Sequence, residues 1–544
     1  MTPALSIVIA VRDNWKQLAE CIDSIASQHA APPLEIIVID DGSINPAPAK
    51  AVQSMRQVQL RLVRQTPLGI AAARNRGLEL TKGELILFVD SDCLLERHCL
   101  RNLVEATKCH VDEIAFQFSV SSLERNLVQE IDALRLRRVQ ESLLLGSGHI
   151  LYVNTSGFAV RSSYVIQSED FFDVSAVRGS DTLKLAQLIR QGKEPRFLSQ
   201  CKVFHCPETP FLKYVVKCFR VGYHDSYSHK QLRALGNVLL GWTQKLQALR
   251  RTCSVSRWNA KRIRCALSAL LCFSIEKLGR ATSRVVGVHP GRRNLLSVRM
   301  DVIRRSELIY RIVTNAERHR SLWVSYANAW TLVQAKKFDR FQSLLRATDI
   351  CIVDGVGVKL AAILLNQPRV RKISFNEVLF DLCRELANRN LSIALIGGEE
   401  TVLREASATI SKVVPHLDVM LQSSGYFLQA EGESLKIELL KRKPNVILIG
   451  MGQPRQEEWA VTIRSQLPES VICCVGGLFD YVTGPRGWAD FAGRFGLEWA
   501  FRLCSSPKKT ARRYLFGIPA LFGYIIMEQA RLATRFVLRG SRLI

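Results

Sequence analysis

Two aspartates one residue apart, Asp90 and Asp92, close the apolar run 85–89. Carboxylates this close at a strand end repel each other unless a cation or hydrogen-bond donors offset their charge. Hard oxygen ligands in that place suit Mg2+ or Mn2+, and such an ion suits a diphosphate. Two more segments have the composition to meet it. Asp40-Asp41-Gly42-Ser43 follows the apolar run 34–39, where a carboxylate can accept hydrogen bonds from a nucleobase or ribose. Residues 69–77, from Gly69 through Arg74 to Gly77, open a helix with small side chains, so that a nucleotide can lie close. In combination these segments outline a site that holds a nucleoside diphosphate and neutralises it as it leaves. Taken singly, a D-x-D or a D-D-G-S is more often a plain turn.

A second set of such residues lies in the other half of the chain. Asp354 follows the apolar run 350–353 and precedes Gly355-Val356-Gly357. The run 446–449 ends in Gly450-Met451-Gly452-Gln453-Pro454-Arg455-Gln456-Glu457. The runs 391–396 and 471–475 end in Gly397-Gly398 and Gly476-Gly477. Glycine at a strand end lets the backbone approach a ligand closely. Pro454 suits a first helical turn, the glycine N–H groups are available to phosphate, and Arg455 adds a charge. Read alone, Asp354 would be a helix cap and Gln456-Glu457 a solvated helix face.

Positioning these residues requires alternating strands and helices. Apolar runs at 5–11, 34–39, 58–63 and 85–89 alternate with helical periodicity at 15–28 and 69–80. This order predicts a parallel sheet covered by helices, with ligands at the carboxyl ends of its strands. After residue 205 the composition turns basic, with amphipathic stretches at 214–223 and 265–278, and the alternation restarts near 295. The expected fold class is therefore α/β, with two nucleotide-binding α/β domains joined by a basic helical region. The expected boundaries are 1–230, a linker at 231–294, 295–505, and a basic amphipathic appendage at 506–544.

Composition limits the partners. The 544 residues are 47% hydrophobic, enough to fill two cores, and carry a net charge of +26. That sign fits nucleic acid, an anionic membrane or phosphorylated substrates. No zinc spacing, RNP-like motif or helix-turn-helix supports nucleic acid, so it is excluded as a partner. The fifteen cysteines are scattered without metal-ligand spacing and read as free thiols in a reducing compartment. There is no signal-peptide pattern at the amino terminus, and no stretch reaches the roughly 20 apolar residues of a spanning helix. The expectation is a cytoplasmic protein, peripheral on the inner face of the cytoplasmic membrane.

The run from Gly69 to Asp92 closely resembles the family 2 glycosyltransferases, an inverting group with a GT-A fold. Their G-x-A-x-A-R-N-x-G-L and x-G-E-x-I-x-F-L-D-x-D motifs are present with few changes. The resemblance covers roughly residues 4–230. It implies Asp41 at the uracil or ribose, Arg74 at the substrate, and Asp92 with Asp90 at the metal and sugar diphosphate. Gly179-Ser180-Asp181 resembles the family's G-E-D with Ser180 in place of the glutamate, which makes Asp181 the candidate general base. His205 resembles a late histidine that approaches the diphosphate or metal. The first strand departs from the family's P-x-Y-N, ending Arg12-Asp13-Asn14. No Q-x-x-R-W is present, which argues for single-sugar addition.

Residues 295–525 resemble the WecG/TagA/CpsF family, inverting glycosyltransferases that use no D-x-D metal. The motifs are Tyr326-Ala327-Asn328-Ala329, Asp354-Gly355-Val356-Gly357, Gly452 to Glu457, Gly476-Gly477-Leu478-Phe479-Asp480 and Gly496-Leu497-Glu498-Trp499 through Leu503. The resemblance implies Asp354 as base, Asn328 near the acceptor or donor sugar, and Gln453, Arg455, Gln456 and Glu457 at the nucleotide sugar. Three segments depart from the family. Tyr326 stands where a threonine is common, the segment from Lys372 to Glu377 replaces R-V-x-G-x-D/E, and Arg486-Gly487-Trp488-Ala489 replaces R-A-P. They can shape sugar choice. The family also has a membrane-targeting C-terminal appendage, and the cationic, aromatic tail here makes Arg502, Arg512 and Arg513 candidates for clamping a lipid-linked diphosphate.

The resulting expectation is a bifunctional inverting glycosyltransferase of bacterial surface polysaccharide synthesis. Mg2+ or Mn2+ would serve the N-terminal domain only. Partners would be nucleotide-sugar donors (UDP-sugars), a polyprenyl-diphosphate-linked glycan acceptor and an anionic membrane surface. The alternative is one active transferase with a non-catalytic acceptor-binding module.

Overall fold

The computed structural model describes residues 3–45, 47–48, 59–166, 170–233, 260–287, 290–367, 370–483 and 515–540. The chain divides into two compact units, Met1–Gly287 and Val288–Ile544.

In the first unit the order is β1 (Leu5–Val11), α1 (Trp15–Ala26), β2 (Leu34–Asp41), β3 (Leu60–Gln65), α2 (Ile70–Glu79), β4 (Leu85–Asp90), β5 (Cys93–Leu95), α3 (Cys99–Cys109), β6 (Ala115–Ser122), α4 (Leu127–Leu143), β7 (Phe158–Arg161), α5 (Ser162–Val165), α6 (Ser180–Arg190), β8 (Arg196–His205), α7 (Phe211–Arg233) and α8 (Ala260–Val286). The sheet order is β3-β2-β1-β4-β7-β6-β8-β5. β3, β2, β1 and β4 are parallel, as the alternation predicts. Beyond β4 the sheet turns mixed, because β7 runs antiparallel to both β4 and β6 and β5 antiparallel to β8. β7 follows a long excursion through α4, and the 158–161 run carries no signal of direction. Ile7, Ile9, Leu87 and Val89 are buried under Leu18, Ile22, Leu100 and Leu103 of α1 and α3. This packing holds the carboxyl ends of β1, β2 and β4 level, and Ala10 pairs with Asp90 while Val11 pairs with Asp40.

The basic stretch read as a linker is split by the structure. α8 packs against α7 and α4 within the first unit. The helices cross with their backbones in contact: a Cβ built on Gly222 would lie 1.8 Å from the Glu276 carbonyl oxygen, and one on Gly279 2.1 Å from that of Phe219. No side chain fits at either place. Gly291–Leu295, all but its last residue assigned to the linker, is the first strand of the second sheet.

The second unit runs β9 (Gly291–Leu295), β10 (Val298–Val302), α9 (Arg305–Glu317), β11 (Leu322–Ala327), α10 (Ala329–Lys337), α11 (Asp339–Ala347), β12 (Ile350–Val353), α12 (Val356–Leu364), α13 (Phe375–Asn388), β13 (Ser392–Gly397), α14 (Glu400–Val413), β14 (Asp418–Ser423), α15 (Gln429–Arg442), β15 (Val446–Gly450), α16 (Arg455–Arg464), β16 (Val471–Cys474), α17 (Leu478–Thr483) and α18 (Gly517–Gly540). The order β14-β13-β15-β16-β11-β12-β10-β9 is parallel throughout except for the terminal β9/β10 hairpin. Its central strands β15, β16 and β12 are buried along their whole length, which is why they read as continuous apolar runs. The cysteines among the described residues are free thiols, and Cys473 and Cys474 are buried. No helix among the described residues is long and apolar enough to cross a membrane.

Candidate functional site

In the first unit the carboxyl ends of β2 and β4 and the loop before α6 carry most of the expected residues. Asp90 does not stand free beside Asp92. Its carboxylate accepts from Arg74 Nη2 at 2.7 Å and from Ser156 Oγ at 2.9 Å. Arg74 is buried on α2 with its guanidinium 5.6 Å from the centre of the Phe172 ring. The pair thus braces α2 and the 154–157 loop against the end of β4. Two of the expected site residues, Arg74 and Asp90, are paired with each other at the end of β4. Helix-start composition cannot reveal this, because the partner lies sixteen residues on.

Asp92 is placed differently. Its Oδ2 lies 3.2 Å from His205 Nε2, and His205 Nδ1 lies 2.6 Å from Asp132 Oδ2 on α4. Burial works against a charged imidazole here, but the two carboxylates outweigh it and lift His205 to about 10. Burial would likewise raise Asp92, yet His205 holds it below the usual carboxylate value. The donors suit a divalent ion. Adjacent ligands about an octahedral ion at about 2.1 Å lie about 3 Å apart, close to the 3.2 Å between Asp92 and His205. Asp132 engages Nδ1, so Nε2, which faces Asp92 here, is the nitrogen that would be offered to an ion once it gave up its proton. Among the described residues no three His, Cys, Asp or Glu side chains form a complete cage. A pair of protein ligands completed by diphosphate and water fits the habit of Mg2+. Asp132 was not singled out in the sequence. It sits inside a helix whose inner face only tertiary packing defines.

Asp41 serves the turn into α2. It accepts from Gln65 Nε2 at 2.9 Å, from the Leu68 N–H at 2.8 Å and from the Gly69 N–H at 3.0 Å. Burial raises its pKa against these donors. The neighbouring 42–45 turn is tied by Asp13, which accepts from the Ile44 and Asn45 N–H groups. Asp13, noted only as a departure from a motif, therefore shapes this edge of the site.

Asp181 lies half-buried in the first turn of α6. Burial raises its pKa and Arg74 opposes the rise, the direction a general base needs to approach neutral pH. The loop before it is braced by α7, whose Ser228 Oγ donates to the Arg178 carbonyl at 3.1 Å. Asp225 of α7 is pushed up to about 7 by burial and by Asp181. One turn along α6, buried Lys184 rests 3.8 Å from the centre of the Phe171 ring, and burial lowers it to about 8. Neither residue carried a motif signal.

In the second unit a pocket is lined by Tyr326, Asn328, Asp354, Ser374, Asn376 and Gly477, among others. Asp354 and Asn328 are thus brought together as expected. Asn328 caps α10: its Oδ1 accepts from the Thr331 N–H and its own N–H donates to Thr331 Oγ1, both at 3.0 Å. Thr331 Oγ1 donates to Gln453 Oε1 at 2.5 Å, and Gln453 Nε2 donates to the Tyr326 carbonyl at 2.8 Å and to Glu457 Oε1 at 3.1 Å. Glu457 Oε1 also accepts from Ser325 Oγ and Gln456 Nε2, each at 2.8 Å. Gln456 Oε1 accepts from the Gly476 N–H at 3.0 Å. Gly476 has φ +61°, and a Cβ there would lie 2.3 Å from the Tyr326 hydroxyl. Only glycine leaves room for that tyrosine.

The sequence expectation placed Gln456 and Glu457 at the nucleotide sugar. Both side chains are instead fully buried and join three strand ends from within. Burial lifts Glu457 to about 7 against its three donors, and its Oε2 has no hydrogen-bond partner among the described residues. Arg455 is exposed, 5.5 Å from the centre of the Phe427 ring. Lys372 lies two residues before Ser374 of the pocket, with Nζ 3.7 Å from Glu377. Arg502, Arg512 and Arg513 lie outside the described residues, as do the 486–489 and 496–503 segments. The described part of α18 buries Leu521 and Ile525 against α10 and its neighbours. Phe516, just before this helix, and Phe522, Ile526 and Met527 on it are exposed, as are Val356, Leu360 and Ile363 of α12.

Comparison with known proteins agrees with the division into two units. Residues 6–164 match the model of glycosyl transferase family 2, and residues 293–535 match that of the glycosyl transferase WecG/TagA/CpsF family. Over 213 residues the chain is 29% identical to an N-acetylglucosaminyldiphosphoundecaprenol N-acetyl-beta-D-mannosaminyltransferase of Staphylococcus aureus strain MW2, covering 39% of this chain and 82% of that protein. A protein of the same name from Bacillus spizizenii strain W23 is 24% identical over 207 residues, 38% of this chain and 79% of that one. Among solved structures, S. aureus TarS 1–349 in complex with UDP-GlcNAc aligns at 13% identity and TM-score 0.34, over 55% of this chain and 97% of that one. The mannosyltransferase PcManGT of Pyrobaculum calidifontis, in complex with GDP-Man and Mn2+, aligns at 18% and TM-score 0.33, over 52% and 84%.

Proposed function

From a glycosyltransferase that carries a family 2 segment followed by a WecG/TagA/CpsF segment, we propose an enzyme with two inverting transfer sites. Each site takes a UDP-sugar, and both act on a polyprenyl-diphosphate-linked glycan of bacterial surface polysaccharide synthesis. The observation that carries this reading is that each unit keeps its own candidate base: Asp181 in the first turn of α6, in the field of Arg74 and Asp90, and Asp354 after β12, in one pocket with Asn328. The name of the S. aureus relative supplies the acceptor class. Tyr326 and Lys372 depart from its family's pattern, so N-acetylmannosamine is not carried over as the sugar.

In the first site Asp181 takes the proton of an acceptor hydroxyl, whose oxygen bonds to the anomeric carbon. The bond to the nucleoside diphosphate breaks, and its electron pair leaves with the diphosphate. Asp92 and His205 would hold Mg2+ or Mn2+, and such an ion would neutralise that leaving group. Attack opposite the leaving group inverts the sugar. Asp354 plays the base in the second site, without a metal. The exposed apolar side of α18, the cationic tail and the clamp candidates Arg502, Arg512 and Arg513 support contact with the inner face of the cytoplasmic membrane.

The test is a panel of labelled nucleotide sugars with membrane lipid acceptors. Asp92→Ala and Asp354→Ala each abolish incorporation of a different sugar, and EDTA abolishes only the one that depends on Asp92. Loss of the same single transfer in both variants sinks the two-site reading and favours one active site served by a non-catalytic module.

A further inference from the structure

Helix α8 of the first unit exposes an apolar stripe. We propose that the outward face of α8 docks on an anionic bilayer and delivers the lipid-linked acceptor to the Asp181 site. This rests on the lipid-linked acceptor proposed above.

The exposed side of α8 is apolar where a solvated helix would be polar. Ile263, Leu267, Leu271, Leu278 and Val285 are 39–79% exposed. At 3.6 residues per turn they fall within an arc of about 80°. Exposed cations border that stripe on both sides, Arg264 on one edge and Lys277 with Arg284 on the other. Apolar residues centred between cations form the pattern of a helix lying in a membrane interface, where the stems stay apolar and the charges meet headgroups.

Acidic residues are kept off this face. The α7–α8 pair contains two, Asp225 and Glu276. Glu276 turns inward to Arg135 at 2.8 Å, and Asp225 lies against Gly179 of the Asp181 loop. A second copy of this chain is a poor occupant, because a net charge of +26 meets itself with repulsion. A bilayer rich in anionic lipid satisfies both the stripe and its borders.

The surface is coupled mechanically to the chemistry. α8 meets α7 backbone to backbone at Gly222 and Gly279, and Ser226 and Ser283 hydroxyls join them at 2.7 Å. α7 in turn holds the Arg178 carbonyl through Ser228. A lipid surface under α8 is therefore two packed helices from the candidate base.

Flotation of the full chain with vesicles of phosphatidylcholine and phosphatidylglycerol tests this. Leu267→Asp/Leu271→Asp/Leu278→Asp is expected to weaken vesicle binding at least about tenfold with an unchanged melting temperature. Arg264→Glu/Lys277→Glu/Arg284→Glu, all at exposed positions, guards against misfolding of the first variant. It is expected to weaken binding to anionic vesicles by a similar factor and to leave the weak binding to pure phosphatidylcholine unchanged. Phe522→Asp/Ile526→Asp on α18 is the comparison. Unaltered flotation of both α8 variants, with loss confined to the α18 variant, overturns the proposal. The readout needs no acceptor. If α8 binds vesicles but the enzyme transfers nothing to extracted membrane lipids, only the acceptor assignment fails.

Discussion

The two units solve the same placement problem with opposite materials. In the first, charge is set against charge: Arg74 on Asp90, and His205 between Asp92 and Asp132. In the second, neutral amides and hydroxyls run from Asn328 through Thr331 and Gln453 to one buried carboxylate. A site assembled from ions responds to an added cation and to lost counter-charges. A site assembled from amides responds to geometry and to the protonation of Glu457. The contrast suits a leaving diphosphate neutralised by metal in one unit and by fixed protein groups in the other.

The proposed bases should give the largest effects. Asp181→Asn and Asp354→Asn are each expected to lower one transfer by about 10²–10⁴-fold and to spare the other, by initial rates with labelled donors. Equal losses of both transfers in either variant would break the contrast. Next is Glu457, whose pKa rises from 4.5 to about 7 on folding. The folded state then holds more protons than the unfolded chain, so this group's contribution falls as pH rises from 4.5 to about 7. That shift is worth about 3 kcal/mol as an order of magnitude. The titratable groups facing it are the Cys351 and Cys474 thiols, which burial pushes up, so they stay neutral across this window. Thermal melts of Glu457→Gln should lack this component, and a pH profile parallel to the unaltered chain's would refute it. The smallest effect is outside the ligand pair. Asp132→Asn should weaken Mn2+ binding about 10–100-fold, read by titration of the free-ion EPR signal. An unchanged affinity would remove Asp132 from the metal site and leave it an ordinary buried partner of His205.

Much of this organisation is legible in the sequence because strand-end motifs are local. A fully buried parallel strand writes itself as an apolar run, and the residue that ends it faces the ligand side. Asp41, Asp92, Asp354 and the Gly476-Gly477 pair all follow from that rule. Helical residues resist the same reading. Asp132, Asp225 and Lys184 sit in helices with no motif, and only packing decides which face is inner. Gln456 and Glu457 look from the sequence like a nucleotide contact or a solvated helix face. The fold instead closes Ser325 and Gln453 over them. The antiparallel β7 was hidden for a related reason, since its four residues encode burial but not direction.

The cap on Asn328 has a consequence for what the second site admits. Its amide oxygen is spent on the Thr331 N–H, and Glu457 together with the Tyr326 carbonyl fixes Gln453 so that Thr331 cannot reverse. The NH2 group is the donor that Asn328 has left for the pocket, where Asp354 stands beside it. If the second site takes a sugar as proposed, an acceptor such as an acetamido carbonyl or a hydroxyl oxygen is the partner that donor calls for. One hydrogen bond of fixed polarity would then help to orient the sugar.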